Sequence, residues 1–148
     1  MSQENVELVR ALQPGPDVDF MQFFFRDDDE GARVALPAFA PTFADDFEAV
    51  FRGVSDRTYH GLLGLRECWL DWLEPWESYR TEIEQLIDAG DRVLLLSRDF
   101  GRRRDMDAEV MLFGSAVYTV SDGKVIRAEF FQDRQRAFDA VGLPQQDV

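Results

Sequence analysis

The residues that could do chemistry in this chain are few, and they form no recognisable catalytic or metal-binding pattern. The sequence has one histidine, His60, and one cysteine, Cys68, so it lacks the paired ligands of a zinc site. A serine nucleophile would need His60 as its base, and no Gly-x-Ser-x-Gly turn is present. The segment from Gly61 to Gly64 lacks the lysine of a phosphate-binding loop. We therefore expect no metal and no cofactor, and the catalytic residues remain unknown.

Arg98 is the polar residue whose predicted position says most about a ligand. It follows an apolar run at residues 93–96 and is expected to share a strand face with Leu94, Leu96 and Phe100. A guanidinium on such a face must reach a carboxylate, a backbone carbonyl or a ligand anion. A structural ion pair and a ligand anion both meet this requirement, and the ion pair is slightly favoured.

A stripe of large apolar side chains gives the strongest helical signal in the chain. Leu62, Leu65, Trp69, Trp72 and Trp76 recur at intervals of three, four, three and four residues, which places all five on one helix face. Packing of this helix on a sheet explains the pattern. The alternative is that the tryptophan rings also line a ligand cavity.

Three successive strands must position these groups. Their predicted ranges are residues 92–100, 107–120 and 125–133. Asp122 and Gly123 predict a tight turn between the last two, because glycine readily supplies a positive φ. The third strand alternates between apolar and charged residues, so one sheet face is expected to cover something apolar and the other to be largely wet.

The remaining segments complete an arrangement of helices first, then one central helix, then a sheet. We expect helices that begin at Ser2 and Asp17, a helical stretch over 30–43, strands over 46–51 and 78–87, and a last helix over 134–141 that ends at Gly142. No linker or repeat interrupts this order. We therefore predict an α+β fold with a single domain over residues 1–148.

Composition limits the classes of partner. A 45% share of hydrophobic residues and a 13% share of aromatic residues predict a packed core. The net charge of −13 disfavours nucleic acid and anionic membrane surfaces as partners. The amino terminus lacks a basic and apolar signal region, and no apolar run has the length of a membrane span. We expect a cytoplasmic protein.

Three stretches of the chain resemble the nuclear transport factor 2-like superfamily and, within it, the polyketide-cyclase-like (SnoaL-like) branch. They are residues 2–10, the turn 57–61 that leads into 65–69, and the closing hairpin 118–130 with Asp133 and Arg134. The resemblance covers most of the chain, and residues 14–41 are the least typical part. It implies a cone-shaped, curved antiparallel sheet wrapped around helices, a pocket at the open end and a homodimer through the sheet.

The resemblance also implies where catalytic acids would lie, and this chain has none at those positions. Ungapped matching places the first-strand aspartate of steroid isomerases at Phe51 and their second, hydrogen-bond-donating aspartate at Ser115. Epoxide hydrolases of this fold activate water with an Asp-Arg-Asp set, whose arginine matches Arg98 and whose aspartates match Phe100 and Phe130. Phenylalanine can neither take up a proton nor hold a charge, so both sets are broken.

The predicted ligand pocket is the hollow beneath the tryptophan-bearing helix. The residues expected to face it are Phe51, Tyr59, Trp69, Trp72, Trp76, Arg98, Phe100, Phe113, Ser115, Phe130 and Gln132. Leu96 is expected to face the same hollow. A β-bulge would shift the strand facing by one residue and bring Asp99, Glu129 and Asp133 into the pocket instead.

Three functions fit this pocket. The slightly favoured one is a noncatalytic protein that binds a small apolar or aromatic molecule. The second is an isomerase, cyclase or dehydratase for a polyketide- or terpenoid-like substrate, which needs a titratable pocket group with a shifted pKa. The third is a structural module whose pocket is filled by its own side chains and is too small for a benzene-sized ligand.

Overall fold

A computed structural model describes residues 2–21, 40–53 and 56–144 of the chain. The elements in these ranges are α1 (Ser2–Ala11), a 3-10 turn (Ala40–Thr42), β1 (Phe43–Arg52), β2 (Thr58–His60), α2 (Gly61–Leu73), β3 (Trp76–Ala89), β4 (Arg92–Arg103), β5 (Glu109–Ser121), β6 (Lys124–Phe131) and α3 (Arg134–Val141). Most of the helix predicted after Asp17, and of the helical stretch predicted over 30–43, lies outside the described residues. None of the described helices is long and apolar enough to span a membrane.

The six strands form one curved, mixed sheet in the order β2-β1-β6-β5-β4-β3. Neighbouring strands are antiparallel except β1 and β6, which pair in parallel. The three successive strands predicted from sequence are β4, β5 and β6. Asp122 and Gly123, with φ of 51° and 74°, form the tight turn between the last two. The fold is α+β, as predicted.

The tryptophan stripe does not lie on a single helix. Helix α2 ends at Leu73, and Trp76 instead begins β3. Pro75 has no backbone N–H to extend the helical hydrogen-bond ladder, so the chain turns into the strand there. Trp76 is still buried and lies against Trp72, with ring centroids 6.1 Å apart. The prediction that all five residues share one helix face was therefore wrong for Trp76.

Both faces of the sheet are covered in part, and this reverses the predicted facing of β4. On the inner face Val93 and Leu95 join the main core, which includes residues of α1 and α2. On the outer face Leu94 and Leu96 pack with Phe138 of α3. The outer face was expected to be largely wet. Because α3 covers it, the run at 93–96 is apolar on both sides and its pattern does not reveal which side is inner.

Helix α3 forms as its local signals predicted. The Asp133 side chain caps its start by accepting a hydrogen bond from the backbone N–H of Gln135 at 2.9 Å. Gly142 ends it in the left-handed conformation, with φ of 72°. Arg134, the first residue of this helix, therefore lies at the outer face of the sheet beside β4 and β5.

Candidate functional site

A cavity of about 60 Å³ lies on the inner face of the sheet, beside Trp69 of α2. Part of its lining is aromatic or aliphatic: Phe20, Phe51, Trp69, Leu95, Ala116, Tyr118 and Phe130. Three polar residues, Thr81, Ser97 and Asp99, form what we call the floor. An apolar wall with a few placed polar groups is the usual composition of a small-molecule site.

Asp99 is the centre of the floor and is held by three hydroxyl groups. Tyr79 donates to one carboxylate oxygen, Oδ2, at 2.6 Å. Thr81 and Ser97 donate to the other, Oδ1, at 2.6 and 2.9 Å. All four residues are buried, and Asp99 is only 8% exposed. These bonds replace the water that a carboxylate loses on burial.

The strand pairing brings the floor together. Thr81 on β3 lies directly opposite Asp99 on β4, and Ser97 lies opposite Gly114 on β5. A Cβ atom at position 114 would lie 2.4 Å from the Ser97 Oγ and 2.9 Å from the Asp99 Oδ2. Glycine at this position therefore leaves the room that the Asp99 carboxylate and its hydroxyl partners occupy.

The two tyrosines near the cavity are both uncharged at neutral pH. Burial, together with the neighbouring Asp99 charge, raises the pKa of the Tyr79 hydroxyl far above its usual value. Burial raises the pKa of Tyr118 to about 12, and its hydroxyl accepts a hydrogen bond from Gln13 at 3.3 Å. Tyr79 therefore keeps its proton and remains a hydrogen-bond donor to Asp99.

Trp69 is the central ring of the cavity wall. Its ring centroid lies 5.1 Å from that of Phe20, 5.1 Å from that of Phe130 and 5.9 Å from that of Phe51. These three contacts are edge-to-face, an arrangement that aromatic pairs prefer to direct face-to-face stacking. The wall is thus built of rings from separate elements, with Phe51 on β1 and Phe130 on β6.

Arg134 supports the floor from the outer face. Its guanidinium donates to the backbone carbonyl of Ser97 at 2.7 Å and to that of Gly114 at 3.3 Å. It also forms an ion pair with Glu84 at 3.4 Å, and both side chains are nearly buried. Arg98 pairs with the same glutamate at 3.2 Å. The ion pair considered for Arg98 is therefore present, but on the side of the sheet away from the cavity.

Three of the residues predicted for the pocket face this cavity: Phe51, Trp69 and Phe130. Ser115 also borders it, but its strand partners Leu96 and Phe131 belong to the outer-face cluster. The Ser115 hydroxyl donates to the backbone carbonyl of Phe131 at 3.1 Å and so is engaged within the sheet. Three more, Tyr59, Trp72 and Trp76, pack in the core outside the cavity lining. The Tyr59 hydroxyl donates to Asp71 at 2.5 Å.

The other predicted pocket residues do not face the cavity, and their predicted facing was wrong. Arg98 and Phe113, which are paired across β4 and β5, are exposed on the outer face. Phe100 lies on the same outer face, with the Arg80 guanidinium 4.2 Å from its ring centroid. Gln132 is exposed just beyond β6. Leu96, expected to face the same hollow, is also on the outer face.

The alternative facing, in which a bulge brings Asp99, Glu129 and Asp133 into the pocket, is correct for Asp99 and not for the other two acids. Asp99 is inside, Glu129 forms an ion pair with Arg52 at 3.0 Å, and Asp133 caps α3. No bulge in β4 causes this. The β3–β4 pairing has two irregularities, both in β3, between Trp76 and Ser78 and between Ile83 and Gln85, while β4 pairs with β5 in unbroken register. The facing of β4 was therefore assigned one residue out of phase.

The floor as a set was missed from sequence. The sequence does contain a signal. Tyr79 and Thr81 are two residues apart on one strand and so share a face, and the same holds for Ser97 and Asp99 on the next strand. It becomes informative only when the register between β3 and β4 is known. Within residues 2–21, 40–53 and 56–144, no group of three or more His, Cys, Asp or Glu side chains could hold a metal ion.

Known proteins resemble this chain in structure at low sequence identity. No curated protein matches it in sequence. TerC, solved with polyporic acid, is 21% identical with a TM-score of 0.62, over 93% of this chain and 98% of TerC. An NTF2-like protein of unknown function from Burkholderia pseudomallei is 16% identical with a TM-score of 0.62, over 94% of this chain and 98% of that one.

A third structure is a suggested SnoaL-like polyketide cyclase from Jannaschia sp. It is 19% identical with a TM-score of 0.60, over 97% of this chain and 95% of that one. At these identities the likeness shows the fold, which is nuclear transport factor 2-like, as the three stretches of sequence indicated. The model of the SnoaL-like domain family matches residues 17–128, and the chain belongs to that family.

Proposed function

We propose that this protein binds a small molecule in the inner-face cavity, with a polar group of the ligand against Asp99 and its apolar part among the rings. The observation that carries this proposal is the buried Asp99 carboxylate at the floor of an otherwise largely apolar cavity. Its neighbours on the floor are hydroxyl groups, and the described residues include no basic partner for it.

A purely structural floor would not need this chemistry. Burying a carboxylate costs several kcal/mol unless other groups replace its hydration, whereas apolar side chains of similar size fill a core at no such cost. Strands β3 and β4 are already joined by backbone pairing from Trp76 to Ala89. Buried titratable groups in cavities are candidates for function for this reason.

The size of the cavity limits what fits. At about 60 Å³ it is well below the ~150 Å³ of an engineered apolar cavity that takes up benzene. A whole flat ring system therefore does not fit unless side chains move, so the ligand is small or inserts one end. A cavity too small for a benzene-sized ligand is what the structural-module hypothesis predicts, and a binding measurement separates that hypothesis from ligand binding.

An enzyme is the second candidate, and the position of Asp99 favours it. The isomerase, cyclase or dehydratase hypothesis needs a pocket carboxylate or histidine with a shifted pKa, and Asp99 places a carboxylate in the cavity lining. A carboxylate can take a proton from a carbon next to a carbonyl and return it at a second carbon, which isomerises the substrate without a cofactor. In this mechanism Tyr79 would remain a neutral donor to Asp99, since its pKa is raised.

A fragment screen by ligand-observed NMR tests the binding proposal. Ala116 is buried and lines the cavity, so Ala116→Leu should fill the space and abolish the binding seen with the wild-type protein. Met111→Leu, at an exposed outer-face residue, is the matched control and should leave binding unchanged. If no fragment binds the wild-type protein, or if Ala116→Leu binds the same fragments equally well, the cavity is not a ligand site.

We also propose that two copies of the chain pair through the outer face of the sheet. Phe113 is 54% exposed and Met111 is 45% exposed, next to each other on β5 and facing the same side. Apolar side chains this exposed on a sheet face mark an interaction surface. The flanking Arg80 and Glu82 provide both signs of charge, which a self-complementary interface between identical copies can use.

A further inference from the structure

The cavity lining, as far as it is described, includes one acidic side chain and no basic one. Asp99 is the only aspartate, glutamate, histidine, lysine or arginine among the described residues that line it. Its carboxylate is bound by the hydroxyls of Tyr79, Thr81 and Ser97 and by no arginine or lysine of the described ranges. Coulomb interactions are strong where water is excluded, so this site repels an anionic ligand and attracts a cationic one.

The three hydroxyl groups bound to Asp99 have their protons committed to its carboxylate. Tyr79, Thr81 and Ser97 each have one hydroxyl proton, and each donates it to Asp99. The raised pKa of Tyr79 keeps its proton on the oxygen. Thr81, Ser97 and the carboxylate line the cavity and can still offer a ligand oxygen lone pairs, so a group that binds against this floor must bring a donor.

The wall suits a positive charge as well. Phe20, Phe51 and Phe130 surround Trp69, and all four rings line the cavity. Aromatic faces attract a cation that lies within ~6 Å of the ring centroid, and tryptophan does so most strongly. A cavity of about 60 Å³ admits a head group of a few non-hydrogen atoms.

We propose that this cavity recognises the protonated amine end of a small organic molecule, which donates its N–H groups to the Asp99 floor and places its carbons among the rings. The inference rests on the proposed ligand-binding function and adds the chemical class of the ligand. An alcohol offers one donor and no positive charge, and a carboxylate offers no donor and brings a negative charge, so both bind more weakly than the ammonium ion.

Three probes of the same number of non-hydrogen atoms test this: isopropylammonium, isopropanol and acetate. Each is titrated into the wild-type protein at neutral pH, and the indole N–H signal of Trp69 is followed by NMR. We expect isopropylammonium to bind about tenfold more tightly than isopropanol, because both the charge-assisted hydrogen bond and the ring faces favour it. Acetate should not shift the Trp69 signal.

Variants establish that the preference comes from the cavity and not from the net charge of −13. Asp99→Asn keeps the shape and removes the charge, so the preference for the ammonium ion should disappear. Asp105→Asn removes one charge from a residue that is 81% exposed, and the preference should persist. Phe130→Leu removes one ring and should weaken isopropylammonium binding more than isopropanol binding, which provides a second measurement if Asp99→Asn does not fold.

The outcomes separate this inference from the function on which it rests. Equal or tighter binding of isopropanol or acetate at Trp69 would overturn the amine assignment and leave a ligand site of another class. A preference for the ammonium ion that persists in Asp99→Asn would overturn the assignment too, because the surface charge would then explain it. Failure of all three probes, together with a fragment screen without hits, would overturn both proposals.

Discussion

Removal of one hydroxyl group, in Tyr79→Phe, tests whether the Asp99 floor is a charged, desolvated site. Tyr79 is 2% exposed and donates to the Asp99 carboxylate at 2.6 Å. A hydrogen bond to a charged acceptor contributes about 1.5–3 kcal/mol to stability, and an unpaired buried acceptor costs a similar amount. We therefore expect Tyr79→Phe to lower the free energy of unfolding by about 2–3 kcal/mol.

Tyr118→Phe is the matched control because it makes the same chemical change at another buried tyrosine. The Tyr118 hydroxyl interacts with the uncharged Gln13 side chain at 3.3 Å, so its loss should cost about 0.5–1.5 kcal/mol. Urea denaturation followed by tryptophan fluorescence measures both values, with equal slopes as the check that only stability changed.

A second change isolates the Tyr79–Asp99 pair. In the background of Asp99→Asn the acceptor is neutral, so Tyr79→Phe should then cost no more than Tyr118→Phe, and the difference is the coupling energy of the pair. The reasoning fails if Tyr79→Phe and Tyr118→Phe cost the same in the wild-type background. Asp99 would then have no special dependence on its hydroxyl donors, and the argument that its burial marks a functional site would lose its energetic basis.

Three further outcomes are expected from the same geometry. Gly114→Ala places a Cβ atom 2.4 Å from the Ser97 hydroxyl oxygen, so it should destabilise the fold by about 1–3 kcal/mol in urea denaturation, and a neutral result would contradict the tight packing of the floor. Arg134→Ala removes a nearly buried guanidinium with its ion pair and its two hydrogen bonds to backbone carbonyls, and it should cost about 3–5 kcal/mol. Arg98→Ala removes a side chain that is 49% exposed and should cost under about 1 kcal/mol, and the reverse order in thermal or urea denaturation would refute this assignment. Phe113→Glu, on the outer face, should lower the mass measured by light scattering from that of two chains to that of one, and a wild-type protein that is already a single chain at high concentration would remove the dimer proposal.

Local signals were sufficient for some elements. Three nearby residues mark the boundaries of helix α3. Asp133 caps its start, Gly142 ends it, and Pro144 lies just beyond. The turn at Asp122 and Gly123 likewise depends on backbone preferences of the residues themselves. These features required no knowledge of the rest of the fold.

The facing of β4 required such knowledge and was predicted incorrectly. The run at 93–96 is apolar on both sides because α1 and α2 cover one face and α3 covers the other. Which side is inner depends on a helix that begins about forty residues later in the chain, so alternation within β4 could not decide it. The error moved Arg98 and Phe100 into the predicted pocket and left Asp99 out.

The one-residue shift in the facing of β4 leaves the fold unchanged but changes which side chains line the cavity. With Phe100 assigned to the inner face in place of Asp99, the predicted pocket held no acid, and a noncatalytic apolar site followed. With Asp99 inside, the described lining of the cavity includes one carboxylate, whose donors lie on β3 and β4 and whose space exists because position 114 is glycine. Asp99 and its buried hydroxyl partners make the fold less stable than apolar side chains at the same positions would. Because these residues meet at one place in the cavity, a ligand that uses the carboxylate explains their presence better than packing alone does.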